Sequence, residues 1–349
     1  MSNLSNNRLV RTFAELRAAG KKTVLPFITA GYPDLATTEA LLRDFESRGV
    51  RICELGIPFS DPVADGPVIQ ASYTAALAAG VNSAKVFDMV RRYRAGAADP
   101  KGLDRPIEKT PLNARAKELL AAAKIRTIGQ LARLTAEELK AVPGLGKASL
   151  DSIKRTLHDL GLSQGMPGAA APGNMALVAM VSYSIVYRHG VADYVRDAAA
   201  AGIDGLIVPD LPLEEAGAIE PHATAAGLAN VMLIAPTTPP QRRLEIARHC
   251  RGFCYMVSVA GITGERTALP PRTLANVADL RKHTDVPICV GFGISRPEMV
   301  ATVCQAADGA IVGSAIVHHI ADAVAAKLPT PQLVRQVGRF VGELLAPVK

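Results

Sequence analysis

The chain has 349 residues, of which 49% are hydrophobic and 20% charged, a balance that excludes a disordered chain and leaves ample material for a packed core. A formal charge of +7 fits a protein in solution and does not by itself mark a nucleic-acid binder. The five cysteines form no Cys-x-x-Cys pair, which argues against a zinc site or disulfide framework and for reduced core thiols in a cytoplasmic protein. The segment Met1 to Arg11 is polar, without the apolar region of a signal peptide. The most apolar window, Met175 to Tyr187, is shorter than the roughly 20 residues a membrane helix needs.

In chain order, runs rich in Val, Ile and Leu predict strands over Thr23–Thr29, Arg51–Gly56, Ala176–Val181, Gly205–Pro209, Asn230–Ala235, Gly252–Val259, Val286–Val290 and Gly309–Val312. Ala-rich amphipathic stretches between them predict helices, among them Thr37–Arg48, Ala192–Ala201, Gln241–His249 and Arg296–Gln305. Continuously apolar strands that alternate with helices form a parallel sheet buried on both faces. Eight such units predict an α/β fold, a closed (β/α)8 TIM barrel.

One interval breaks the alternation. A helix ends near Arg94 and the next strand begins near Ala176, and both flanks of the gap, Ala95–Pro100 and Gly165–Gly173, have linker composition. Between them Ile107–Leu162 is helix-patterned, with a capping box at Thr135-Ala136-Glu137-Glu138 and a turn at Val142–Lys147 before a further helix, Ser149–Leu160. The division expected is a discontinuous barrel domain, 1–94 and 174–349, and an inserted helical domain, 95–173. A helix-to-strand connection lies at the N-terminal face of a barrel, so the insert is expected neither to block the substrate entrance nor to supply catalytic groups.

The chemistry is concentrated at two places. The second predicted strand delivers Glu54 near its end, and Asp65 follows eleven residues later on a Pro/Gly-rich loop. Two acids on one strand-end loop suit proton transfer on a small substrate, and partial burial would raise the Glu54 pKa toward the working pH. The alternatives are a core carboxylate paired with Arg or Lys for Glu54, and a turn aspartate for Asp65. Glycines and hydroxyls cluster after the last three predicted strands, in Gly261-Ile262-Thr263-Gly264, Gly291-Phe292-Gly293-Ile294-Ser295 and Gly313-Ser314. Late-strand loops and a helix N-terminus are where barrels bind phosphate, although turns also use glycine. A Schiff-base aldolase would need a strand-end lysine, and none of the predicted strands ends in one.

The segment Cys53–Pro67 closely resembles the signature of the tryptophan synthase alpha chain family. The resemblance extends over most of the sequence outside the insert, through Pro26–Asp34, Gly205–Pro212, Ala235–Pro239 and the three late loops. It implies reversible retro-aldol cleavage of indole-3-glycerol phosphate to indole and glyceraldehyde 3-phosphate, without a cofactor. Glu54 and Asp65 match the family's catalytic acids. Phe27, Tyr255 and Phe292 match pocket residues, and Thr263, Gly264, Gly293, Gly313 and Ser314 match the loops around the glycerol phosphate. Gly261–Arg266 matches a mobile lid. The resemblance also implies a partner, a pyridoxal-phosphate beta chain in an αββα assembly, with Asp61 and Pro62 on the partner-facing loop. One departure stands out: the family's Tyr-x-Asn-Pro run is Ser182-Tyr183-Ser184-Ile185 here.

Within the insert, Ile128–Leu131, Pro143–Leu150 and Gly161–Met166 resemble the C-terminal domain of the RNA polymerase alpha subunit, a relative of helix-hairpin-helix DNA binders. Arg115, Gly146, Lys147 and Ser149 match DNA-contacting positions. Between Ala95 and Gly173 there are 12 Lys/Arg and 8 Asp/Glu, so +4 of the total +7 lies there. Glu118 and Ala148 replace an asparagine and a lysine of the DNA-facing surface, and a carboxylate repels phosphate. A spacer or protein-docking module is therefore favoured over a DNA binder. The competing reading of the whole protein is a catalytically weakened barrel that binds DNA or RNA polymerase through its insert.

Overall fold

A computed structural model describes residues 3–62, 65–96, 105–134, 136–159, 173–258 and 270–348. The protein divides into two compact units, Met1–Arg91 with Asn174–Lys349, and Arg92–Gly173.

The first unit is built on nine parallel strands: β1 (Thr23–Thr29), β2 (Ile52–Gly56), β3 (Ala176–Met180), β4 (Gly205–Ile207), β5 (Ala229–Val231), β6 (Leu233–Ile234), β7 (Cys254–Val257), β8 (Ile288–Gly291) and β9 (Gly309–Val312). Their order is β5-β4-β3-β2-β1-β9-β8-β7-β6. The two outer members, β5 and β6, are one stretch of backbone interrupted at Met232, so the sheet closes on itself as an eight-stranded barrel. Every residue of β1, β2, β8 and β9 is buried, as strands covered by helices on one face and by the barrel interior on the other must be. The register pairs Phe27 of β1 with Glu54 of β2, and Glu54 in turn with Val178 of β3.

The polar N-terminal segment turns out to contain a helix, Arg8–Ala18, that the sequence pattern does not announce. Asn7 caps it by accepting from the Leu9 and Val10 amides, while its Nδ2 donates to the Asp204 and Gly227 carbonyls at 2.7 and 2.8 Å. Leu9, Phe13 and Leu16, spaced three or four apart, enter the same core as Leu25, Ile52, Val178 and Ile311 of the strands. Arg8 pairs with the buried Asp204 at 2.9 Å and completes the anchor. This helix plugs the barrel interior, and fixes β2 from below.

The second unit has its own core. Helices Ala114–Ala122, Ile128–Arg133, Ala136–Lys140 and Lys147–Asp159 enclose Ile107, Leu120, Ile128, Leu131, Ile153 and Leu157. A complete capping box opens the second helix: the Gln130 amide donates to Thr127 Oγ1, and the Thr127 amide to Gln130 Oε1, both at 3.2 Å. The capping box expected at Thr135 falls outside the described residues. Gly144, at φ +82°, makes the turn before the last helix in a conformation that favours glycine. The ends of the unit hold each other, since the Gly173 amide donates to the Tyr93 carbonyl and Arg94 Nη1 to the Gly173 carbonyl, both at 2.9 Å.

Candidate active site

Glu54 lies in the interior of β2, fully buried, with neither carboxyl oxygen hydrogen-bonded. That rules out the alternative of a core acid paired with Arg or Lys. Desolvation by burial pushes its pKa well above the ordinary carboxylate range. Asp65, beyond the loop, is also pushed up by burial, to about 6. Both acids line one cleft of about 450 Å³, together with Phe27, Tyr255, Phe292, Gly293, Gly313 and Ser314. The structure thus gathers every catalytic and substrate-binding candidate named from the sequence except Thr263 and Gly264, which lie outside the described residues along with the rest of the segment 261–266.

Sterics explain the glycines. A Cβ at Gly291 would come within 2.4 Å of Tyr255 Oη, so only glycine lets the tyrosine reach the cleft. Phe292 follows at φ +77°, rare for a bulky residue, and Gly293 at φ +81°. Ser258 holds this turn: its amide donates to the Gly291 carbonyl at 2.9 Å and its hydroxyl to the Phe292 carbonyl. Thr273 Oγ1 donates to the Ser258 carbonyl at 2.7 Å, fixing Ser258 in turn. The Phe292 ring then meets Tyr255 edge-on at 5.9 Å. Gly313 precedes helix Ser314–Ala325 and has no side chain to cap it, which leaves the helix's leading amides free of a side-chain acceptor at the cleft.

A second lobe of about 870 Å³ adjoins the first through Asp65, Met180 and Phe292. Phe59, Asp61, Pro62, Tyr73 and Ser182 line it. Asp61 is exposed and accepts from Ser60 Oγ at 2.6 Å. The departure from the family pattern is accommodated by Asp210, which accepts from Ser182 Oγ at 2.7 Å and from the Tyr183 amide at 2.8 Å. Sequence reasoning missed Ile69, Tyr73, Met180, Ile294 and Ile311 as lining residues and Ser258 as the support of the Phe292 turn. Their apolar or hydroxyl side groups give no signal until the fold aims them inward.

The five cysteines are free and buried. Among the described residues there is no cluster of three His, Cys, Asp or Glu that could hold a metal, and no helix long and apolar enough to cross a membrane.

In the insert, Arg115 pairs with Glu118 at 2.8 Å on the exposed face, and Gly146 and Lys147 are exposed. Ser149, expected at a DNA-contacting position, is only 5% exposed, because its helix turns that side toward the insert's core.

A buried carboxyl without a hydrogen-bond partner, lining a cleft of a parallel barrel beside a second acid, is the arrangement of a barrel enzyme. Comparison with known proteins narrows the class. Residues 13–103 and 169–343 match the family model of the tryptophan synthase alpha chain, and residues 96–159 match that of the C-terminal domain of the bacterial RNA polymerase alpha subunit. Curated relatives include the tryptophan synthase alpha chains of Rhodopirellula baltica, 39% identical over 89% of this sequence and 86% of the relative, and of Geobacter sulfurreducens, 36% identical over 97% of both. A crystal structure of tryptophan synthase subunit alpha from Legionella pneumophila superposes with a TM-score of 0.70 at 27% identity, covering 98% of each protein. The chain belongs to the tryptophan synthase alpha chain family, lyases of tryptophan biosynthesis.

Proposed function

We propose that this protein catalyses the reversible retro-aldol cleavage of indole-3-glycerol phosphate to indole and glyceraldehyde 3-phosphate. The observation that carries the reading is the buried, unpartnered carboxyl of Glu54 in a cleft shared with Asp65 and the late glycine loops. Cleavage needs a proton on indole C3, giving an indolenine, and removal of the proton from the glycerol hydroxyl next to the breaking bond. As that hydroxyl becomes the aldehyde carbonyl, the carbon–carbon bond breaks and its electrons return to the indole ring. A Glu54 that starts protonated donates to C3 and, once ionised, takes the hydroxyl proton, ending as it began. Asp65, at about 6, is mostly ionised at neutral pH and accepts from the indole N–H, stabilising the positive charge that develops on the ring.

Phe27, Tyr255 and Phe292 flank the substrate, and the amides of Gly293, Gly313 and Ser314 hold its phosphate, where uncapped helix amides favour an anion. Thr263 and Gly264 belong to the lid that excludes water. Asp61 and Pro62 face a beta chain that receives the indole, in an αββα assembly, and the enzyme works in the cytoplasm. For the insert we favour a spacer or protein-docking role. The carboxylate of Glu118 beside Arg115 and the burial of Ser149 support that reading over a DNA-binding one.

The test is to incubate the purified full-length protein with indole-3-glycerol phosphate and quantify indole and glyceraldehyde 3-phosphate. Equimolar release, accelerated on adding a tryptophan synthase beta chain, supports the reading. No release with or without the beta chain contradicts it.

A further inference from the structure

Helix Pro67–Ala78 starts immediately beyond Asp65, with Gly66 as its N-cap. Three of its side chains tie it to the site. Gln70 Nε2 donates to the Asp65 carbonyl at 2.7 Å and to the Pro62 carbonyl at 3.2 Å, holding the loop that carries the acid. The Ser72 and Thr29 hydroxyls, 2.6 Å apart, join the helix to the end of β1. Tyr73 is 4% exposed and packs with Phe27, Ile69 and Val317. A Cβ placed at Gly56 would lie 2.7 Å from Tyr73 Oη and 2.5 Å from Phe27 Cζ, so the absence of a side chain there is what admits the phenol. Gly56 stands two residues beyond Glu54 on the same strand, and Tyr73 lines the lobe that Asp65 also lines.

The phenol therefore reaches from the helix that follows one acid to the strand that bears the other. We propose that Tyr73 is a positioning residue for the acid pair: its ring sets the spacing between the Asp65 loop and β2, and its hydroxyl donates toward whichever carboxylate is ionised. The proposal rests on the reading of Glu54 and Asp65 as the proton-transfer pair.

The surroundings leave few other groups to do this. Burial, then the charges of Asp65 and Glu54, push the Tyr73 phenol well up, which keeps it a neutral donor. Titratable groups near the acids also include Tyr255 from β7, Cys53 from β2 and Cys289 from β8, all pushed up by burial first, while Asp61 and Asp210 line the second lobe with Asp65 and Tyr73. No lysine or arginine among the described residues lines either lobe. With no cation lining either lobe, a donating O–H is one means of lowering a carboxyl pKa, beside the N-terminal amides of the helix that follows Asp65, and deleting that O–H raises the pKa.

Tyr73→Phe keeps the ring and removes only the hydroxyl. Two measurements follow each protein across pH: the Asp65 carboxyl carbon by NMR, and the rate of indole release. The Asp65 midpoint is expected to move up by about half a unit or more, and the acid limb of the rate profile with it, with kcat reduced about tenfold. Superimposable titrations overturn the proposal, as does a lower kcat with an unmoved midpoint, which would leave the residue a packing role alone. Should the wild type release no indole, the functional reading fails by itself, while the NMR titration still decides the role of Tyr73.

Discussion

In the barrel, the Glu54 carboxyl is fully buried without a partner and Asp65 is pushed up to about 6, whereas the insert's buried polar residues among those described are Thr110, Ser149 and Thr156, none of them ionisable. Charge in the insert stays at the surface, as with Arg115 and Glu118, both well exposed. Each region has its own core, yet only one carries an electrostatic penalty. A buried, unpaired acid costs stability and persists only where the surrounding structure over-determines it. The register of β2 between β1 and β3, and the N-terminal helix beneath, supply that constraint in the barrel. The insert is assembled as an ordinary structural domain is.

The largest effect that would sharpen this contrast is on catalysis. Glu54→Gln keeps the shape of the side chain and removes its proton-transfer capacity, so indole release should fall by about 10²–10⁴-fold, read from steady-state kcat. Loss of less than tenfold would place the chemistry elsewhere. Next comes a core substitution in the insert. Leu120 is fully buried there, and Leu120→Ala should destabilise the insert by about 2–5 kcal/mol. Calorimetry should find the insert's transition lowered, with barrel melting and kcat unchanged. A matching fall in barrel stability would mean that the two cores are not independent.

The barrel's fold was legible in the sequence because its strands are uninterrupted apolar runs: Thr23–Thr29 and Gly309–Val312 have the bounds the pattern predicts. Where the pattern misled, a physical cause can be named. The expected strand Asn230–Ala235 is broken at Met232, which no composition signal marks. The helix Arg8–Ala18 hid in a polar segment because only Leu9, Thr12, Phe13 and Leu16 of it are buried. In the site, motif residues such as Glu54 and Gly291 were legible, whereas Tyr73 and Ser258 were not. Those two act through packing and hydrogen bonds to residues distant in sequence, which only the closed barrel brings near.

A smaller effect concerns stability against pH. Burial raises Asp65 from 3.8 to about 6, so the folded state binds the proton more tightly than the unfolded state does. The resulting stability is full below pH 3.8 and is lost as pH rises through about 6. Asn at this position cannot ionise, so the melting temperature of Asp65→Asn should gain on the wild type between about pH 4 and pH 7 and stay parallel above. A gap that narrows over that range would reverse the assigned cause. The smallest effect is expected from removing residues 95–172 and joining the ends with a short Gly/Ser linker. Because Tyr93 and Gly173 are already hydrogen-bonded to each other, kcat for indole release should stay within about twofold.

The most direct measurement is the protonation state of Glu54 itself. In the full-length protein with carboxyl-labelled glutamate, the Glu54 resonance is identified by its absence from the Glu54→Gln spectrum and followed from acid to alkaline pH. The account predicts a carboxyl still protonated at neutral pH, with its midpoint well above the ordinary 4.5. A resonance that titrates near 4.5, fully ionised at neutral pH, would contradict it.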